Sequence, residues 1–337
     1  MFLRTSLPLK AAILGLLWHG AVQGSLAQKE KSARAFAGNL SAHSSAIAVP
    51  FEYYKQHIYI SVQVDDVPGL IFMLDTGASR NVLNLRTARQ LGAASRRLKQ
   101  EKKVGFGAEH IYTAPETPVR AEIESVPIAR VMSVIDLSHF ERHSGHVLDG
   151  ILGYPFLQKF VVKLDFRNER LTFSPKRFVY RGPGLRIGIL QQRTFPVIPI
   201  TIGSSQQVHH QTNVVIDTGS NGTLMLYERF VRRLSLQESL LHTVAAKAYG
   251  LNGYYDVRLG SVRSIQIGSA IAHSVSVDYV EPEEEVHLDR GVSGEIGNGI
   301  LQGFLVVVFD VPHGQIVLLP KESLIGSGTV RTYTVGP

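Results

Sequence analysis

The sequence contains no cysteine among its 337 residues. This absence excludes disulfide bonds, cysteine nucleophiles and thiolate metal sites. In an exported protein it favours a bacterial envelope over a eukaryotic secretory route, where small domains often depend on disulfides. Long hydrophobic runs are also lacking beyond the N-terminal segment, so no later part of the chain is expected to span a membrane.

Charged residues are few as well, at 19% of the chain, below the usual quarter. The 31 glycines and 15 prolines instead separate short apolar runs, a pattern typical of all-β proteins. The length suits two domains, and 44% hydrophobic residues suffice for sizeable cores. The formal charge of +7 is scattered and lacks a recognised nucleic-acid motif, so no nucleic-acid partner is predicted.

The N-terminus has the order of a signal peptide. Arg4 and Lys10 precede the apolar run 11–18, and small residues at 25–27 fit a cleavage site. Residues 1–27 are therefore predicted to be a signal peptide, followed by a disordered lead-in at 28–48, and the mature protein is expected in the periplasm or outside the cell. The alternative is an uncleaved anchor, but the apolar run is shorter than the roughly 20 residues that span a bilayer.

The remainder of the chain carries one pattern twice. In each half an apolar run ends in Asp-Thr-Gly, at Asp75 and at Asp217. A short helical pattern, a glycine-punctuated segment, an apolar element ending in glycine and a closing strand then follow in the same order. Such duplication predicts an internal repeat of two β-rich lobes. The predicted segments are an N-terminal lobe at 49–174, a linker at 175–191, a C-terminal lobe at 192–322 and a tail at 323–337.

The repeated Asp-Thr-Gly has the composition of a buried, paired loop. The apolar run places the carboxylate in an interior, where its charge state is perturbed. Threonine can hydrogen-bond and pack at once, and glycine permits a sharp turn and close backbone approach. Two carboxylates that share a site cannot both ionise easily, so they titrate as a pair. The candidate catalytic residues are Asp75 and Asp217, and the candidate supporting residues are Thr76, Gly77, Thr218, Gly219 and Ser220.

These motifs resemble those of the aspartic peptidase family. The two-lobed chain is similar to pepsin, and the local motifs are similar to those of retroviral enzymes. The segment 149–157 resembles bacterial aspartyl proteases. The residues that carry the resemblance are Asp75-Thr76-Gly77-Ala78-Ser79, Asp217-Thr218-Gly219-Ser220-Asn221, Ile151-Leu152-Gly153 and Glu295-Ile296-Gly297.

The resemblance implies an all-β, bilobal, pepsin-like double β-barrel with a few short helices and a cleft between the lobes. It implies that Asp75 and Asp217 hold a nucleophilic water, while Thr76 and Thr218 interlock behind them. The expected activity is that of an aspartic endopeptidase acting on a peptide or protein substrate. No metal or cofactor is expected, and the protein is expected to be a monomer.

Two features of the family are incompletely matched. Members of the family close a flap over the substrate. The flap candidates here are Phe106, Gly107 and Tyr112 in the first lobe and Tyr249 in the second. The sequence therefore allows either one flap or two. Ser220 follows Asp217 by three positions where the first lobe has alanine. Its hydroxyl is predicted to donate to Asp217 and lower the pKa of that carboxyl, which would leave the shared proton on Asp75.

Other interpretations of the sequence compete with this one. Asp-Thr-Gly could be a simple turn, or the fold could serve a catalytically silent peptide-binding or scaffold protein. Metal-dependent hydrolysis is suggested by a histidine cluster and an adjacent histidine pair, but no H-E-x-x-H occurs, and a polar surface loop is predicted for the cluster. A serine hydrolase motif G-x-S-x-G is absent from the sequence. The histidines concerned are His139, His143 and His146, with the pair His209 and His210.

Overall fold

The structure is a computed structural model that describes residues 46–93, 99–101, 105–107, 109–190, 194–204, 208–233, 236, 243–280, 291–321 and 331–334. All of them belong to one compact unit, 45–337. The predicted signal peptide at 1–27 and most of the lead-in lie outside the described residues. Strand β1 begins at Ile47, inside the predicted lead-in. In the described part of the chain, no helix is long and apolar enough to cross a membrane.

The first half of the chain forms short strands with three brief helices between them. In chain order the elements are β1 (Ile47–Pro50), β2 (Glu52–Tyr54), β3 (His57–Val64), β4 (Val67–Leu74), β5 (Val82–Asn84), α1 (Leu85–Gln90), β6 (Lys99–Glu101), β7 (Ile111–Ile123), β8 (Val126–Ile135), α2 (Ser138–Ser144), β9 (Gly150–Leu152), α3 (Tyr154–Lys159), β10 (Phe160–Asp165) and β11 (Arg170–Pro175).

The second half follows a similar order. Its elements are β12 (Leu185–Gly188), β13 (Val197–Gly203), β14 (His209–Ile216), β15 (Leu224–Tyr227), α4 (Glu228–Arg233), β16 (Val244–Gly250), β17 (Gly253–Ile267), β18 (Ala270–Val280), β19 (Gly294–Ile296), α5 (Asn298–Leu301), β20 (Phe304–Asp310), a 3-10 helix (Val311–His313), β21 (Gln315–Pro320) and β22 (Arg331–Thr334).

Each lobe is built on an eight-stranded sheet. The first has the order β2-β3-β4-β9-β5-β8-β7-β6, and an added β3–β7 pairing curls it on itself. The second has the order β16-β17-β13-β14-β19-β15-β18-β22, with an added β17–β18 pairing. The predicted mostly-β, two-lobed, pepsin-like architecture is therefore confirmed. Strand β22 falls in the predicted tail, where it pairs with β18.

A third sheet joins the lobes, and the sequence did not predict it. It has six strands in the order β1-β11-β10-β20-β21-β12. Its central pairing is antiparallel between the lobes and aligns Leu164 with Val307. Strand β12 lies inside the predicted linker at 175–191 and pairs with β21. Sequence patterns predicted the four inner strands β11, β10, β20 and β21 but not the edge strands β1 and β12, and they contained no information on which strands would pair.

Local signals explain the short helices that were predicted. Helix α1 starts after Asn84, whose side-chain oxygen accepts a hydrogen bond from the N–H of Arg86 at 3.2 Å. Such capping satisfies one of the N–H groups that a helix leaves unpaired at its start. The Asn84 amide also donates to the carbonyl of Leu148 at 2.7 Å, so the cap is fixed to the loop before β9. The helix predicted after Asp217 is α4, Glu228–Arg233.

Candidate active site

The two aspartates lie at the ends of matching strands, one in each lobe. Strand β4 pairs in parallel with β9, and β14 pairs in parallel with β19. The N–H of Asp75 donates to the carbonyl of Leu152, and the N–H of Asp217 donates to the carbonyl of Ile296, both at 2.9 Å. The apolar elements ending in glycine that the sequence singled out are thus the strands that fix both aspartates in place.

Thr76 and Thr218 interlock across the lobe boundary. The N–H of each donates to the hydroxyl of the other, at 3.1 Å from Thr76 and 3.0 Å from Thr218. Each hydroxyl then donates to a carbonyl of the opposite lobe: Thr76 to Ile216 at 2.6 Å and Thr218 to Leu74 at 2.8 Å. Both threonines are fully buried. Loss of one hydroxyl would leave a buried N–H unpaired, which costs about 1–3 kcal/mol.

The glycines after the threonines bring each loop against the opposite carboxyl. A Cβ on Gly77 would lie 2.5 Å from Cγ of Asp217, and a Cβ on Gly219 would lie 2.4 Å from Cγ of Asp75. Neither distance is compatible with a side chain. The Gly77 N–H donates to Oδ1 of Asp217 at 3.1 Å, and the Gly219 N–H donates to the same oxygen at 2.8 Å. Glycine is therefore required for close approach at both positions.

The two carboxyls are hydrogen-bonded to one another, and the pKa of each is raised. Burial, and then the charge and hydrogen bond of Asp217, raise the pKa of Asp75 well above its usual range, while the N–H groups of Ala78 and Gly77 oppose this rise. Burial also raises the pKa of Asp217, and the N–H of Gly219, the Asp75 side chain and the N–H of Gly77 oppose that rise. The pair can therefore hold one shared proton and titrate as a unit.

Ser220 does not act on Asp217 as predicted. Its hydroxyl is hydrogen-bonded to the carboxyl of Glu295, and its oxygen accepts the N–H of Gly222 at 3.3 Å. Backbone N–H groups, which a sequence does not reveal, oppose the rise in the pKa of both aspartates instead. Which of the two is easier to ionise stays a prediction.

Two hairpins meet over the cleft, one from each lobe. Phe106 and Gly107 lie at the tip between β6 and β7, and the turn between β16 and β17 meets them. The side chain of Asn252 accepts the N–H of Gly105 at 2.8 Å and donates to the carbonyl of Glu109 at 2.6 Å. The N–H of Asn252 also donates to the carbonyl of Phe106 at 2.8 Å. Hairpins therefore lie at both positions for which the sequence predicts a flap, and their closure over a substrate stays a prediction.

Each flap tip packs on the opposite lobe. Leu251, from the second lobe, packs on an apolar cluster of the first lobe that includes Tyr59 and Ile151. Phe106, from the first lobe, packs on a cluster of the second lobe and stacks on Tyr255 with ring centroids 5.3 Å apart. Each tip therefore joins its own lobe to the apolar cluster of the other lobe.

The two tyrosine flap candidates lie on strands. Tyr112 lies on β7 with 44% of its surface exposed. Tyr249 lies on β16 next to the turn, pairs with Tyr254 and stacks on His143, with ring centroids 3.7 Å apart. The aromatic residue at the tip of the first hairpin is the candidate Phe106.

The histidine cluster supports the flaps. His139 and His143 lie on helix α2, which ends at Gly145 with φ +70°, so the predicted surface loop is wrong at these positions. His139 contacts Glu109 at 3.1 Å. His146 follows the helix and stacks on Tyr59 with centroids 4.1 Å apart. Among the residues that the structure describes, no group of three or more potential ligands is arranged to hold a metal ion. His209 and His210 lie on β14, and the latter contacts the hydroxyl of Ser204 at 3.3 Å.

Several residues near the dyad were not predicted. The amide of Asn298 is buried and donates to the carbonyl of Thr218 at 2.7 Å and to that of Gln56 at 2.6 Å. His57 is also buried, and its Nε2 lies 3.1 Å from the carbonyl of Gly219. Both residues hold the loop of the second aspartate against the first lobe. A buried asparagine or histidine leaves no pattern in one sequence, so only Asn298, directly after a repeated glycine, could have been suspected.

Comparison with known proteins agrees with this geometry. No curated protein matches the chain. Among solved structures, the chain is similar to the aspartic proteinase from Irpex lacteus, with 15% sequence identity, 85% of this chain and 100% of that chain covered, and a TM-score of 0.51. At that identity the similarity concerns the fold alone. A family model described as aspartyl protease matches residues 60–156 and 198–301, which together exceed half of the chain and contain both Asp-Thr-Gly loops. The chain belongs to the aspartyl protease family.

Proposed function

We propose that this protein is an aspartic endopeptidase whose dyad, Asp75 and Asp217, activates water for attack on a peptide bond. The observation that carries the proposal is the pair of buried, mutually hydrogen-bonded carboxyls between two lobes. Membership of the aspartyl protease family agrees with it. A structural turn would need neither the crossed threonines nor the two glycines at contact distance.

We assign the steps from the hydrogen bonds at the two carboxyls, since Oδ1 of Asp217 accepts two backbone N–H groups and Oδ1 of Asp75 accepts none from the described residues. Asp217, as the charged member, takes a proton from the water as the water oxygen attacks the peptide carbonyl carbon. Asp75 holds the shared proton and donates it to the carbonyl oxygen, which neutralises the developing charge. The tetrahedral diol then collapses: the C–N bond breaks, Asp217 gives its proton to the leaving nitrogen, and a diol hydroxyl returns its proton to Asp75 as the new carboxyl group forms. No covalent intermediate with the enzyme forms in these steps.

Cleavage within a chain is favoured by the position of the flaps. The tips that carry Phe106 and Leu251 join hairpins from both lobes, and each packs on the apolar cluster of the opposite lobe. An extended peptide would pass beneath both hairpins, so chain could continue on either side of the bond to be broken. Both carboxylates come from one polypeptide, so the proposed active form needs no second copy.

The dyad is tested with a diverse library of peptides blocked at both ends, from acidic to neutral pH. Asp75→Asn and Asp217→Asn should each lower kcat/KM by about 10⁴-fold, since each removes half of a shared acid–base pair. The exposed Asp66→Asn is the matched control and should behave as wild type. Turnover near wild type in either dyad variant would exclude the shared mechanism. Binding of peptides without any cleavage would instead identify a silent peptide-binding protein.

We also propose that the protein is exported and cleaved near Ala27. The motivation is the order of basic, apolar and small residues at the N-terminus. Mass spectrometry of the protein from its native host should find a mature chain that starts near Gln28. An intact Met1 in a cytoplasmic fraction would contradict export, and an intact Met1 in a membrane fraction would indicate a retained anchor.

A further inference from the structure

The two lobes present equivalent rows of side chains beside the dyad. Each row crosses four neighbouring strands at positions that are in register, so its side chains point to one face of the sheet. In the first lobe the row is Met73, Ile151, Val82 and Ser133. In the second lobe the row is Val215, Glu295, Met225 and Asp278.

Both rows face the cleft and not the lobe interior. In the second lobe, Val214 and Ile216 point into the main core, whereas Val215 between them belongs to the cluster that receives the flap tip. Side chains alternate along a strand, so the row that contains Val215 is the opposite face from the core. The matching cluster in the first lobe receives Leu251 in the same way. The rows are therefore walls on either side of the two aspartates.

The two walls differ in charge. The first lobe has Ile151 where the second has Glu295, and Ser133 where the second has Asp278. Glu295 is 8% exposed. Burial, then the charges of Asp217, Asp75 and Asp278, raise the pKa of Glu295 well above its usual range, while the Ser220 hydroxyl opposes the rise. Burial also raises the pKa of Asp278. One wall is thus apolar, and the other carries two carboxyls.

The fold gives these carboxyls no cationic partner. In the described part of the chain, no positive side chain acts on Glu295 or Asp278. A buried carboxyl without a cation costs free energy, and the apolar Ile151 serves the same position in the first lobe. A second observation concerns the neighbouring aspartate. Oδ1 of Asp75, a residue whose charge acts on Glu295, is buried and accepts no hydrogen bond from the described residues.

We propose that the wall formed by Glu295 and Asp278 is a substrate subsite that binds the lysine or arginine side chain of a peptide next to the bond that is cleaved. The opposite wall, around Ile151, then takes an apolar side chain. The inference rests on the proposed peptidase function and adds its substrate class: peptides with a basic residue on one side of the cleaved bond and an apolar residue on the other. A cation in this subsite would offset the repulsion among four neighbouring carboxyls.

The subsite is tested by binding, so that the result does not depend on turnover. The ligands are peptides blocked at both ends, with a neutral hydroxyethylene group replacing the bond to be cleaved and with either lysine or norleucine at each flanking position. Norleucine keeps the alkyl stem of lysine and lacks the charge. Wild type should bind one lysine peptide at least about 10-fold more tightly than its norleucine counterpart, since one charge-assisted contact contributes about 1.5 kcal/mol.

Three variants assign that preference to residues. Glu295→Gln should abolish most of it, and Glu295→Ile, which copies the first lobe, should reverse it in favour of norleucine. Asp278→Asn should weaken it by a smaller factor. The exposed Glu124→Gln is the matched control and should keep the wild-type ratio. Equal binding of both peptides by wild type, no binding of either, or an unchanged ratio in Glu295→Gln would overturn the subsite.

The same peptides with an ordinary amide separate the two proposals. Cleavage that shows no lysine preference and is unaffected by Glu295→Gln would support the peptidase function and exclude the subsite. If binding shows a lysine preference that depends on Glu295 but no peptide is cleaved, the subsite would be supported and the peptidase function excluded.

Discussion

The two aspartate loops share Asp-Thr-Gly and differ in the hydrogen bonds that their carboxyls accept. Oδ1 of Asp217 accepts two backbone N–H groups, from Gly77 at 3.1 Å and Gly219 at 2.8 Å. By contrast, Oδ1 of Asp75 accepts no hydrogen bond from the described residues, although the N–H groups of Ala78 and Gly77 lower the pKa of Asp75. Hydrogen bonds to a carboxylate stabilise its charged form. A duplicated motif can therefore place its two carboxyls in unlike surroundings, because the backbone positions decide which oxygen each N–H group reaches.

The first test of this comparison uses substitutions that move the two aspartate loops apart. Gly77→Ala and Gly219→Ala each place a Cβ within 2.5 Å of the opposite carboxyl. Because displacement of a reacting group by about 1 Å can cost about 10²-fold, both variants should lose at least that much in kcat/KM. The two losses should be of the same order, since the contacts are equivalent in the two lobes.

Steady-state kinetics on one cleaved peptide measures both losses. Gly188→Ala in β12 is the control, because no atom lies within 4 Å of its added Cβ, and its activity should match wild type. A Gly219→Ala variant as active as wild type, with Gly77→Ala inactive, would show that only one loop needs close approach.

How far the sequence predicts this site follows from the same glycines. The repeated Asp-Thr-Gly was sufficient to predict a paired dyad, because the residue types needed for buried carboxyls and close approach stand next to each other. The partner of Ser220 was predicted wrongly, because Glu295 lies 75 positions later and reaches the hydroxyl only through the β14–β19 pairing. Contacts set by strand order are invisible to a local motif.

The fold likewise divides into features that local sequence patterns predict and features that depend on distant contacts. Strand runs were readable from apolar residues between glycines and prolines, and α1 was readable from its helical pattern. The six-stranded sheet between the lobes was missed, because the pairing of Leu164 with Val307 depends on how two separately folded lobes dock. Asn252 was missed as well, since its hydrogen bonds to Gly105 and Glu109 join two hairpin tips about 145 positions apart.

The second comparison is between the flap tips. Phe106→Ala and Leu251→Ala each remove an apolar side chain from the opposite lobe's cluster. We expect each to raise KM about 10-fold with a smaller fall in kcat, since burial of such a side chain contributes about 1.5–3 kcal/mol to flap closure. The control Val244→Ala lies at the exposed start of β16 and should leave KM unchanged. A rise in KM for one tip only would show that a single flap closes over the peptide.

The smallest expected effect concerns stability and compares the aspartates directly. The folded protein raises the pKa of both carboxyls. A group with a raised folded pKa contributes stability below its unfolded value, about 3.9 for aspartate, and that contribution is lost as pH rises through the folded pKa. Asparagine does not titrate. Asp75→Asn and Asp217→Asn should therefore gain Tm relative to wild type between about pH 4 and pH 7, with little difference below pH 4.

If Asp75 holds the shared proton, as proposed, the gain should be larger for Asp75→Asn, because Oδ1 of Asp75 accepts no hydrogen bond from the described residues whereas Oδ1 of Asp217 accepts two. Thermal unfolding of wild type and both variants in matched buffers measures this order. The exposed Asp66→Asn controls for the general effect of losing one negative charge and should show no such pH dependence. Equal gains would mean that the proton is shared evenly, and a larger gain for Asp217→Asn would reverse the assignment of acid and base within the dyad.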